Sequence, residues 1–550
     1  MSPPATTVSD HLVACLEQLG ITCAFGVLSI HNMPLLDAMG RRGRIRFVPA
    51  RGEAGAVNMA DAAARVSGGL GLAVTSTGTG AGNAAGALVE AQTAGTPLLH
   101  LTGQVAVPYL DRGRSYVHEA VGQTAMLGAV SKAVLRVWSA ETALGTLVEA
   151  ARIALTPPTG PVSVEIPIDL QGAPLLAGPA PAPALPAPAA PEAGAVARLA
   201  AALAAARRPV LWLGGGARDA RPEVRRLMAL GAAVVTTLQG RGIVPEGTPG
   251  SLGAFNSQPA VERFFGSCDA MLVAGSRLRV PETLTHQLKL PRPLWQVDVD
   301  PRAWNRAYVS DGFVCGDARL ALRLLADGLE AQGVRFDPAL HADADAARAA
   351  AEAALRANVS PYDAVADAVQ QAAGADFNWA RDVTIANATW GNRLLRLPDV
   401  RRGVHATGGG IGQGLAMAIG AAVATPQRRT WALVGDGGLA LNLGELATAV
   451  QERTRLVLLV MNDGGYGILR NLQDADYGGR RHYADLHTPR FEALAAAMGL
   501  GFRRVSTLAA LPAQLADAAA DPAPAMLVEF DMAAIGPWAK PFTGPPLGRG

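Results

Sequence analysis

The chain has 550 residues, of which 50% are hydrophobic and 17% are charged, and its formal net charge at pH 7 is +2. This length is too great for one hydrophobic core and predicts three or four structural units of a globular protein. The balanced charge excludes a strong field for nucleic acid or an anionic membrane, and the sequence holds neither a signal-peptide pattern nor an apolar run long enough to span a bilayer. We therefore expect a cytoplasmic protein with a small-molecule partner, and neither nucleic acid nor membrane as a partner.

Residues 1–172 alternate short apolar strands with helices. The first helix is predicted over residues 9–19 with Ser9 as its cap, and another over residues 52–67. Strands are predicted in TCAFGV, IRFVPA, LGLAVTST, PLLHLTG and PVSVEIPID. This alternation predicts a parallel sheet that helices cover on both faces.

The rest of the chain repeats this pattern twice. A Pro/Ala-rich tract over residues 173–194 predicts an extended linker. Residues 195–330 hold the predicted strands PVLWLGGG, AAVVTTLQG, AMLVAGS, LWQVDVD and GFVCGD, and residues 331–361 form a helical connector. Residues 362–532 hold DVTIAN, TWALVGDG, RLVLLVMND and AMLVEFD, and residues 533–550 form a loosely held arm. We predict an α/β protein of three mostly parallel, doubly wound domains, the first and third of them related.

Two neighbouring strands of the third block end in carboxylates and glycines. One leads into GDG at residues 435–437, and the next leads into NDGG at residues 462–465. Parallel neighbours bring Asp436 and Asp463 to the same sheet edge, where open α/β folds bind ligands. Adjacent carboxylates require a cation, and two carboxylates with a glycine carbonyl suit Mg²⁺ that also binds a diphosphate. The alternative is two ordinary turns at strand ends.

The Gly-Asp-Gly sequence, followed about 26 residues later by Asn-Asp, resembles the diphosphate motif of thiamine-diphosphate enzymes, in the branch of acetohydroxyacid synthases, benzaldehyde lyase and 2-oxo-acid decarboxylases. The resemblance implies thiamine diphosphate and Mg²⁺ as cofactors. The family usually has Asn-Asn at the second place, so Asp463 would bind the metal through a carboxylate, and Gly465 through its carbonyl. The flanking residues implied to contact the cofactor are Gly435, Gly437, Gly438, Tyr466, Gly467 and Ile468.

A Gly-rich segment, HATGGGIGQGLAMAIGAA, precedes these strands. Its turn offers backbone N–H groups to a phosphate at a helix N-terminus, although close helix packing is an alternative explanation. In the resembled family this place carries an apolar residue that wedges between the two rings of the cofactor, and Ile411 matches it, next to Gly410. Asn387, Thr389 and His405 are further candidates for contact with the diphosphate.

Glu53 is predicted at the entry of a helix that follows a buried strand. A carboxylate in this position can simply cap a helix, but Arg51, Glu53 and Ala56 reproduce the family pattern Arg-x-Glu-x-x-Ala. The resemblance implies that Glu53 hydrogen-bonds the aminopyrimidine ring of a cofactor held mainly by a neighbouring subunit. It would thereby favour the ring tautomer that removes the proton from the thiazolium C2 carbon. A homodimer is then the minimum active unit, and the resemblance suggests a homotetramer.

Loops of the first block supply the other candidates. The turn in TSTGTGAGN resembles the family's Gly-rich strand-to-helix turn, so Gly78, Gly80 and Asn83 are expected to line the site, with tight βα packing as the alternative. Loops in the family also place polar side chains around the reactive carbon, and an imidazole suits proton relay near neutral pH. The catalytic candidates of this kind are His31, His118 and Gln123.

The middle block resembles the family's central Rossmann-like domain, but residues 277–281 read RLRVP where acetohydroxyacid synthases have Arg-Phe-Asp-Asp-Arg, which argues against FAD. We expect an acetolactate-synthase-like carboligase that cleaves or joins C–C bonds of 2-oxo acids or 2-hydroxy ketones. A simple 2-oxo-acid decarboxylase or aldehyde lyase is the alternative. A catalytically silent cofactor-binding protein is the alternative of another class, and the retained Glu53 argues against it. The lack of a proper GxGxxG motif disfavours a nicotinamide dehydrogenase.

Overall fold

The structure is a computed structural model, which describes residues 6–175, 184 and 186–544. Its described strands form three sheets in which every pair is parallel, and helices cover them. The predicted α/β fold with three doubly wound domains is confirmed. Parts of the predicted linker and arm, residues 176–183, 185 and 545–550, lie outside the described residues. No helix among those described combines the length and apolar character needed to cross a bilayer.

The N-terminal domain is built on a six-stranded sheet. Its strands are β1 (Cys23–Gly26), β2 (Arg46–Pro49), β3 (Gly71–Thr75), β4 (Leu98–Gln104), β5 (Ala133–Arg136) and β6 (Pro161–Pro167). Its helices are α1 (Val8–Gln18), α2 (Met33–Arg42), α3 (Glu53–Ser67), α4 (Thr79–Ala94), α5 (Gln123–Val130), α6 (Ala143–Leu155) and α7 (Ile168–Gln171). The strands lie in the order β2-β1-β3-β4-β6-β5.

The central domain has a five-stranded sheet. Its strands are β7 (Pro209–Leu213), β8 (Ala233–Thr236), β9 (Ala270–Ala274), β10 (Leu294–Asp298) and β11 (Gly312–Cys315), in the spatial order β11-β10-β9-β7-β8. Its helices are α8 (Ala193–Ala204), α9 (Arg221–Ala229), α10 (Pro259–Phe265) and α11 (Ala318–Ala331). The long helix α12 (Leu340–Val359) then leads into the third domain.

The C-terminal domain again has a six-stranded sheet. Its strands are β12 (Phe377–Arg381), β13 (Gly403–His405), β14 (Arg429–Gly435), β15 (Leu456–Asn462), β16 (Gly501–Val505) and β17 (Ala525–Asp531). Its helices are α13 (Asp363–Ala373), α14 (Gly414–Ala424), α15 (Asp436–Ala440), α16 (Glu445–Gln451), α17 (Gly467–Asp476), α18 (Phe491–Met498), α19 (Leu511–Ala520) and α20 (Met532–Ile535).

The N-terminal and C-terminal sheets have the same topology. The C-terminal order is β13-β12-β14-β15-β17-β16, which repeats the N-terminal order strand for strand. This identity confirms the relation predicted from the shared strand, Gly-rich turn and helix pattern. In both sheets, ligands are expected at the carboxyl edge near the central strands.

The domains share their hydrophobic cores. Helix α3 packs along α14, and a Cβ on Gly420 would lie 2.1 Å from the Met59 carbonyl oxygen, so the glycine permits close contact of the two helices. One core cluster joins Met59 to Met417 and Val434 of the C-terminal domain. Another joins Trp212 of the central sheet to the C-terminal domain. The packing of α3 on α14 fixes the orientation of the N-terminal sheet relative to the C-terminal sheet.

Several local predictions were wrong. The segment DVTIAN is not a strand, because β12 is Phe377–Arg381 and ends one residue before it. Helix α1 is capped by Thr7, whose side chain exchanges hydrogen bonds with Asp10, and not by Ser9. The prediction also missed β5, β13 and β16. The strands of the sheets lie within the predicted domains, whose boundaries themselves stay predictions.

Candidate active site

The carboxyl edge of the C-terminal sheet brings together the two aspartates predicted to bind a metal. Asp436 is the first residue of α15, directly after β14, and Asp463 follows β15. The backbone N–H of Asp463 donates to Asp436 Oδ1 at 3.4 Å. Asp436 is 2% exposed, and burial together with the nearby Asp463 raises its pKa to about 6. Burial also raises the pKa of Asp463. A bound cation would relieve the cost of placing these carboxylates together.

Glycines flank both carboxylates at places where a side chain does not fit. A Cβ on Gly437 would lie 3.0 Å from the Gly465 carbonyl oxygen and 2.8 Å from the Tyr466 ring. A Cβ on Gly467 would lie 1.8 Å from Asp463 Oδ2. These glycines let the loop after β15 close on the start of α15. The other predicted contacts on the same two segments are Gly435, Gly438 and Ile468.

The edge fits a hard divalent cation. Asp436 Oδ2 is buried and has no hydrogen-bond partner among the residues that the structure describes. The same residues contain no group of three or more His, Cys, Asp or Glu side chains that could hold a metal. A cation at Asp436 and Asp463 would therefore complete its coordination with the Gly465 carbonyl and with ligand oxygens. This donor set is typical of Mg²⁺ bound beside phosphate groups.

Asp382 ties the Gly-rich loop to this edge. Its buried carboxylate accepts a hydrogen bond from the Gly412 N–H at 2.9 Å, and the Gly414 N–H stabilises it further. Burial raises the pKa of Asp382 to about 6 despite these hydrogen bonds. The loop contains Gly410 and exposes 40% of Ile411, the predicted wedge between the rings of the cofactor. Sequence reasoning missed Asp382 because the strand before it was predicted one segment too late.

The remaining candidates for contact with the diphosphate are buried. Asn387 lies in a helical turn, and its Oδ1 has no partner within the described part of the chain. The Thr389 hydroxyl donates to the Ile385 carbonyl at 2.7 Å. His405 lies 3.3 Å from Arg381, and burial with neighbouring arginines holds its pKa well below the usual value. Asn387 therefore has a free acceptor atom, whereas the Thr389 hydroxyl is engaged by its own domain. His405 is engaged only through Nδ1, and its Nε2 has no partner among the described residues.

Glu53 lies at the carboxyl edge of the N-terminal sheet, as predicted, where it opens α3. Its Oε2 accepts a hydrogen bond from Asn83 at 3.1 Å. A Cβ on Gly80 would lie 3.0 Å from Glu53 Oε1 and 2.9 Å from the Ser76 Cβ, and a Cβ on Gly78 would collide with the loop that follows β4. The structure thus brings Glu53, Asn83 and the two glycines together.

The two candidate histidines are neighbours at the same edge. The rings of His31 and His118 lie 5.2 Å apart between centroids. His31 is 1% exposed, and its Nδ1 is without a partner among the described residues. Burial and the nearby His118 lower its pKa. The His118 Nδ1 lies 3.3 Å from the Ser76 hydroxyl, which links the histidine pair to the neighbourhood of Glu53.

Gln123 forms hydrogen bonds that hold the turn after β3 at this edge. Its Oε1 accepts from the Thr77 hydroxyl at 2.9 Å and from the Gly78 N–H at 2.6 Å, and its Nε2 donates to Glu165 at 3.0 Å. All its polar atoms are engaged in holding the turn after β3. Gln123 therefore positions the turn that carries Gly78 and Gly80.

The C-terminal domain also holds the entry to α3. Glu445 of α16 is 2% exposed, and its Oε1 accepts hydrogen bonds from the backbone N–H groups of Arg51 and Gly52. Burial raises the pKa of Glu445. Sequence reasoning missed this residue, because no local pattern indicates a partner 394 positions away.

Exposed apolar side chains surround both edges. The residues near Glu53 and the histidines are Leu28, Ile30, Val117 and Val121, each more than half exposed. The residues near Asp436 and Asp463 are Ile411, Leu441 and Leu469. Exposed apolar side chains that lie together are typical of surfaces that contact another molecule.

A separate cleft of about 360 Å³ lies between the central sheet and the N-terminal domain. It includes the Gly-rich turns that follow β7 and β9, and Arg277 and Arg279 of the segment that argued against FAD. Three further arginines line it: Arg65, Arg218 and Arg401. None of the predicted catalytic or cofactor-binding residues faces this cleft.

Two sheets of identical topology, one carrying a glutamate and the other paired aspartates with a Gly-rich loop, form the arrangement expected of a thiamine-diphosphate enzyme. Sequence models of three domains of thiamine pyrophosphate enzymes match the chain: the N-terminal TPP binding domain over residues 6–126, the central domain over 196–325 and the C-terminal TPP binding domain over 385–529. The chain belongs to the thiamine pyrophosphate enzyme family.

The chain is similar over most of its length to several named proteins. A probable 2-ketoarginine decarboxylase of Pseudomonas aeruginosa is 33% identical over 86% of this chain and 85% of its own length. An acetolactate synthase of Mycobacterium bovis is 28% identical over 90% of this chain and 82% of its own. Acetolactate synthase isozyme 1 large subunit of Escherichia coli is 28% identical over 86% of this chain and 84% of its own length. The chain is a thiamine-diphosphate-dependent enzyme of the carboligase or decarboxylase type with a small-molecule substrate, as predicted. The catalytically silent alternative is not favoured.

Proposed function

We propose that this enzyme decarboxylates a 2-oxo acid with thiamine diphosphate that Mg²⁺ anchors at Asp436, Asp463 and the Gly465 carbonyl. The observation that carries the proposal is the buried Asp436 Oδ2, which lacks a partner in the described chain beside a second carboxylate. The wedge would be Ile411, on the loop that Asp382 fixes. Bound thiamine diphosphate supplies a C2 carbon nucleophile and then an electron sink for the bond that breaks.

Glu53 is the proposed activating group. It stands at the start of α3 with Asn83 on one oxygen, which leaves its other oxygen directed toward the space that Gly80 keeps open. A carboxyl group in that place can share a proton with a ring nitrogen of the cofactor. His31 and His118 are the proposed proton-transfer groups for the substrate oxygen, since their rings lie side by side at the edge that carries Glu53 and an imidazole can exchange a proton near neutral pH.

The proposed site needs two copies of the chain. Within one chain, the N-terminal and C-terminal domains contact each other through α3 and α14. The sheet edges that carry Glu53 and Asp436 have exposed apolar side chains nearby. Apposition of the N-terminal edge of one copy and the C-terminal edge of another would bury both sets and join Glu53 to the diphosphate site. We propose a homodimer as the minimum unit, a homotetramer as the assembly and the cytoplasm as the location.

Two products are compatible with this first step. Ligation of the remaining fragment to a second carbonyl, as the name acetolactate synthase indicates for two relatives, is the first candidate. Simple protonation is the second, and the decarboxylase named among the relatives favours it. A panel of 2-oxo acids, each with and without an acceptor aldehyde, distinguishes the two by product analysis. Carbon dioxide release without any dependence on thiamine diphosphate and Mg²⁺ would contradict the proposal.

A further inference from the structure

Arg470 contacts one of the two metal-site aspartates. It lies on α17 and reaches back to the loop that follows β15. Its Nη2 lies 3.0 Å from Asp463 Oδ1 and donates to the Asp463 carbonyl oxygen at 2.6 Å, and its Nη1 lies 2.8 Å from Asp485 Oδ1. The Arg470 side chain is largely buried, whereas that of Asp485 is largely exposed. The contact with Asp463 is therefore the better shielded of the two ion pairs.

The charge of the Asp463–Arg470 pair explains how the site tolerates an aspartate at a position where the resembled family usually has asparagine. Asp463 stands where the resembled family usually has a neutral asparagine, so the edge carries one more negative charge beside Asp436. Arg470 provides one positive charge against it. The Asp463–Arg470 pair then has the same net charge as the usual asparagine.

We propose that Arg470 is the counter-charge that sets the divalent-cation affinity of this site. The inference rests on the proposed function, which places the cation at Asp436 and Asp463. Arg470 engages Oδ1 of Asp463 and lowers the negative potential that a cation meets there. The site would then bind a divalent cation through a carboxylate with an affinity close to that of a site with a neutral asparagine ligand. The cation that anchors the cofactor would therefore remain exchangeable.

Removal of either charge should change the affinity in opposite directions. Arg470→Gln leaves the Asp463 charge uncompensated, so cations should bind about tenfold more tightly. Asp463→Asn leaves the Arg470 charge uncompensated, so binding should weaken by about tenfold or more. The double variant should return to within about threefold of the wild type, because the pair is coupled.

The test is the Mg²⁺ concentration at half-maximal thermal stabilisation of the full-length protein at saturating thiamine diphosphate, repeated with Mn²⁺. Arg481→Gln is the matched control, since Arg481 pairs with Asp474 on the surface. Arg470→Lys keeps the positive charge beside Asp463, and because the inference concerns charge the affinity should remain within about threefold of the wild type. Melting temperatures without cation establish that each variant folds.

Each outcome decides the inference. The inference is supported if Arg470→Gln binds Mg²⁺ more tightly than the wild type, Asp463→Asn binds it more weakly, and the double variant has nearly the wild-type affinity. The inference is overturned if Arg470→Gln binds Mg²⁺ no more tightly than the wild type, or if the double variant binds it as weakly as Asp463→Asn. In either case the proposed function stands as long as Mg²⁺ stabilises the wild type. If the wild type shows no cation-dependent stabilisation, or if Asp436→Asn retains the whole of it, the proposed metal site fails and the inference falls with it.

Discussion

Glu445 of the C-terminal domain holds Gly52 of the N-terminal domain through a hydrogen bond of 3.1 Å from the Gly52 N–H to its Oε1. Gly52 is the N-cap of α3, and the next residue is Glu53. The helix that follows the Asp436 segment in sequence therefore fixes the backbone from which Glu53 projects. In the proposed dimer, this contact links the metal edge of one active site to the activating carboxylate of the other.

The first prediction concerns this contact. Glu445→Ala leaves the Arg51 and Gly52 N–H groups without their acceptor, and we expect a loss of about 1–3 kcal/mol in unfolding free energy with several-fold slower C2 proton exchange. Glu445→Gln keeps one acceptor oxygen and should be much milder. Denaturant unfolding and exchange measured by NMR check both. Glu452→Ala, which removes a different carboxylate that contacts the N-terminal domain at Arg46, is the control and should leave exchange unchanged.

Glu53→Gln should separate activation from binding. Glutamine retains a hydrogen-bonding oxygen but cannot share the proton, so C2 exchange should fall by at least about a hundredfold. Stabilisation of the protein by thiamine diphosphate with Mg²⁺ should persist. Glu149→Gln, on the exposed face of α6, is the matched control. Exchange at the wild-type rate in Glu53→Gln would remove its assigned role.

Gly467→Ala should damage the metal site selectively. The added Cβ would lie 1.8 Å from Asp463 Oδ2, so Asp463 must turn away from its position. We expect the Mg²⁺-dependent thermal stabilisation to be lost while the cation-free melting temperature changes little. Gly86→Ala, in α4 with open space around its Cβ position, is the control. An unaltered Mg²⁺ response in Gly467→Ala would show that Asp463 does not bind the cation.

The raised pKa of Asp382 predicts that the stability difference between the wild type and Asp382→Asn depends on pH. Its pKa in the folded protein, about 6, exceeds the unfolded value near 3.8, so the folded state holds the proton more tightly. The contribution of this group to stability is therefore greatest below the unfolded pKa and is lost as the pH rises through about 6.

An asparagine at position 382 has no such titration. The stability of Asp382→Asn relative to the wild type should therefore improve by about 1 kcal/mol between about pH 5 and about pH 7.5. Urea unfolding at both pH values measures this difference. A difference independent of pH would show that the folded state does not raise the pKa of Asp382.

Long apolar strands and their parallel arrangement could be predicted from the sequence. The runs that became β3, β4, β14 and β15 are buried on both faces, and such strands appear as continuous apolar segments. From the parallel order alone, Asp436 and Asp463 were expected side by side, and they are. The interior strand β12 was displaced by one segment, and the strands missed outright, β5, β13 and β16, lie at sheet edges. Of these, β13 has three residues and β16 contains two arginines.

The supporting residues of the site could not be predicted in the same way. Arg470 lies seven positions from Asp463, but the orientation of α17 decides whether it reaches back. Glu90 accepts hydrogen bonds from the Thr407 and Gly408 N–H groups more than 300 positions away, and so holds the start of the Gly-rich loop. Such contacts depend on how whole domains pack, which local periodicity does not encode.

The central claim is that each active site combines Glu53 of one subunit with Asp436 and Asp463 of another. Co-expression of Glu53→Gln with Asp436→Asn tests it most directly, with C2 proton exchange of thiamine diphosphate as the measurement. Each variant alone should be inactive. A mixed dimer should contain one site with both residues intact, so random assortment should restore about a quarter of the wild-type exchange. Exchange no greater than that of the separate variants would contradict the shared site and place both residues in active sites of single chains.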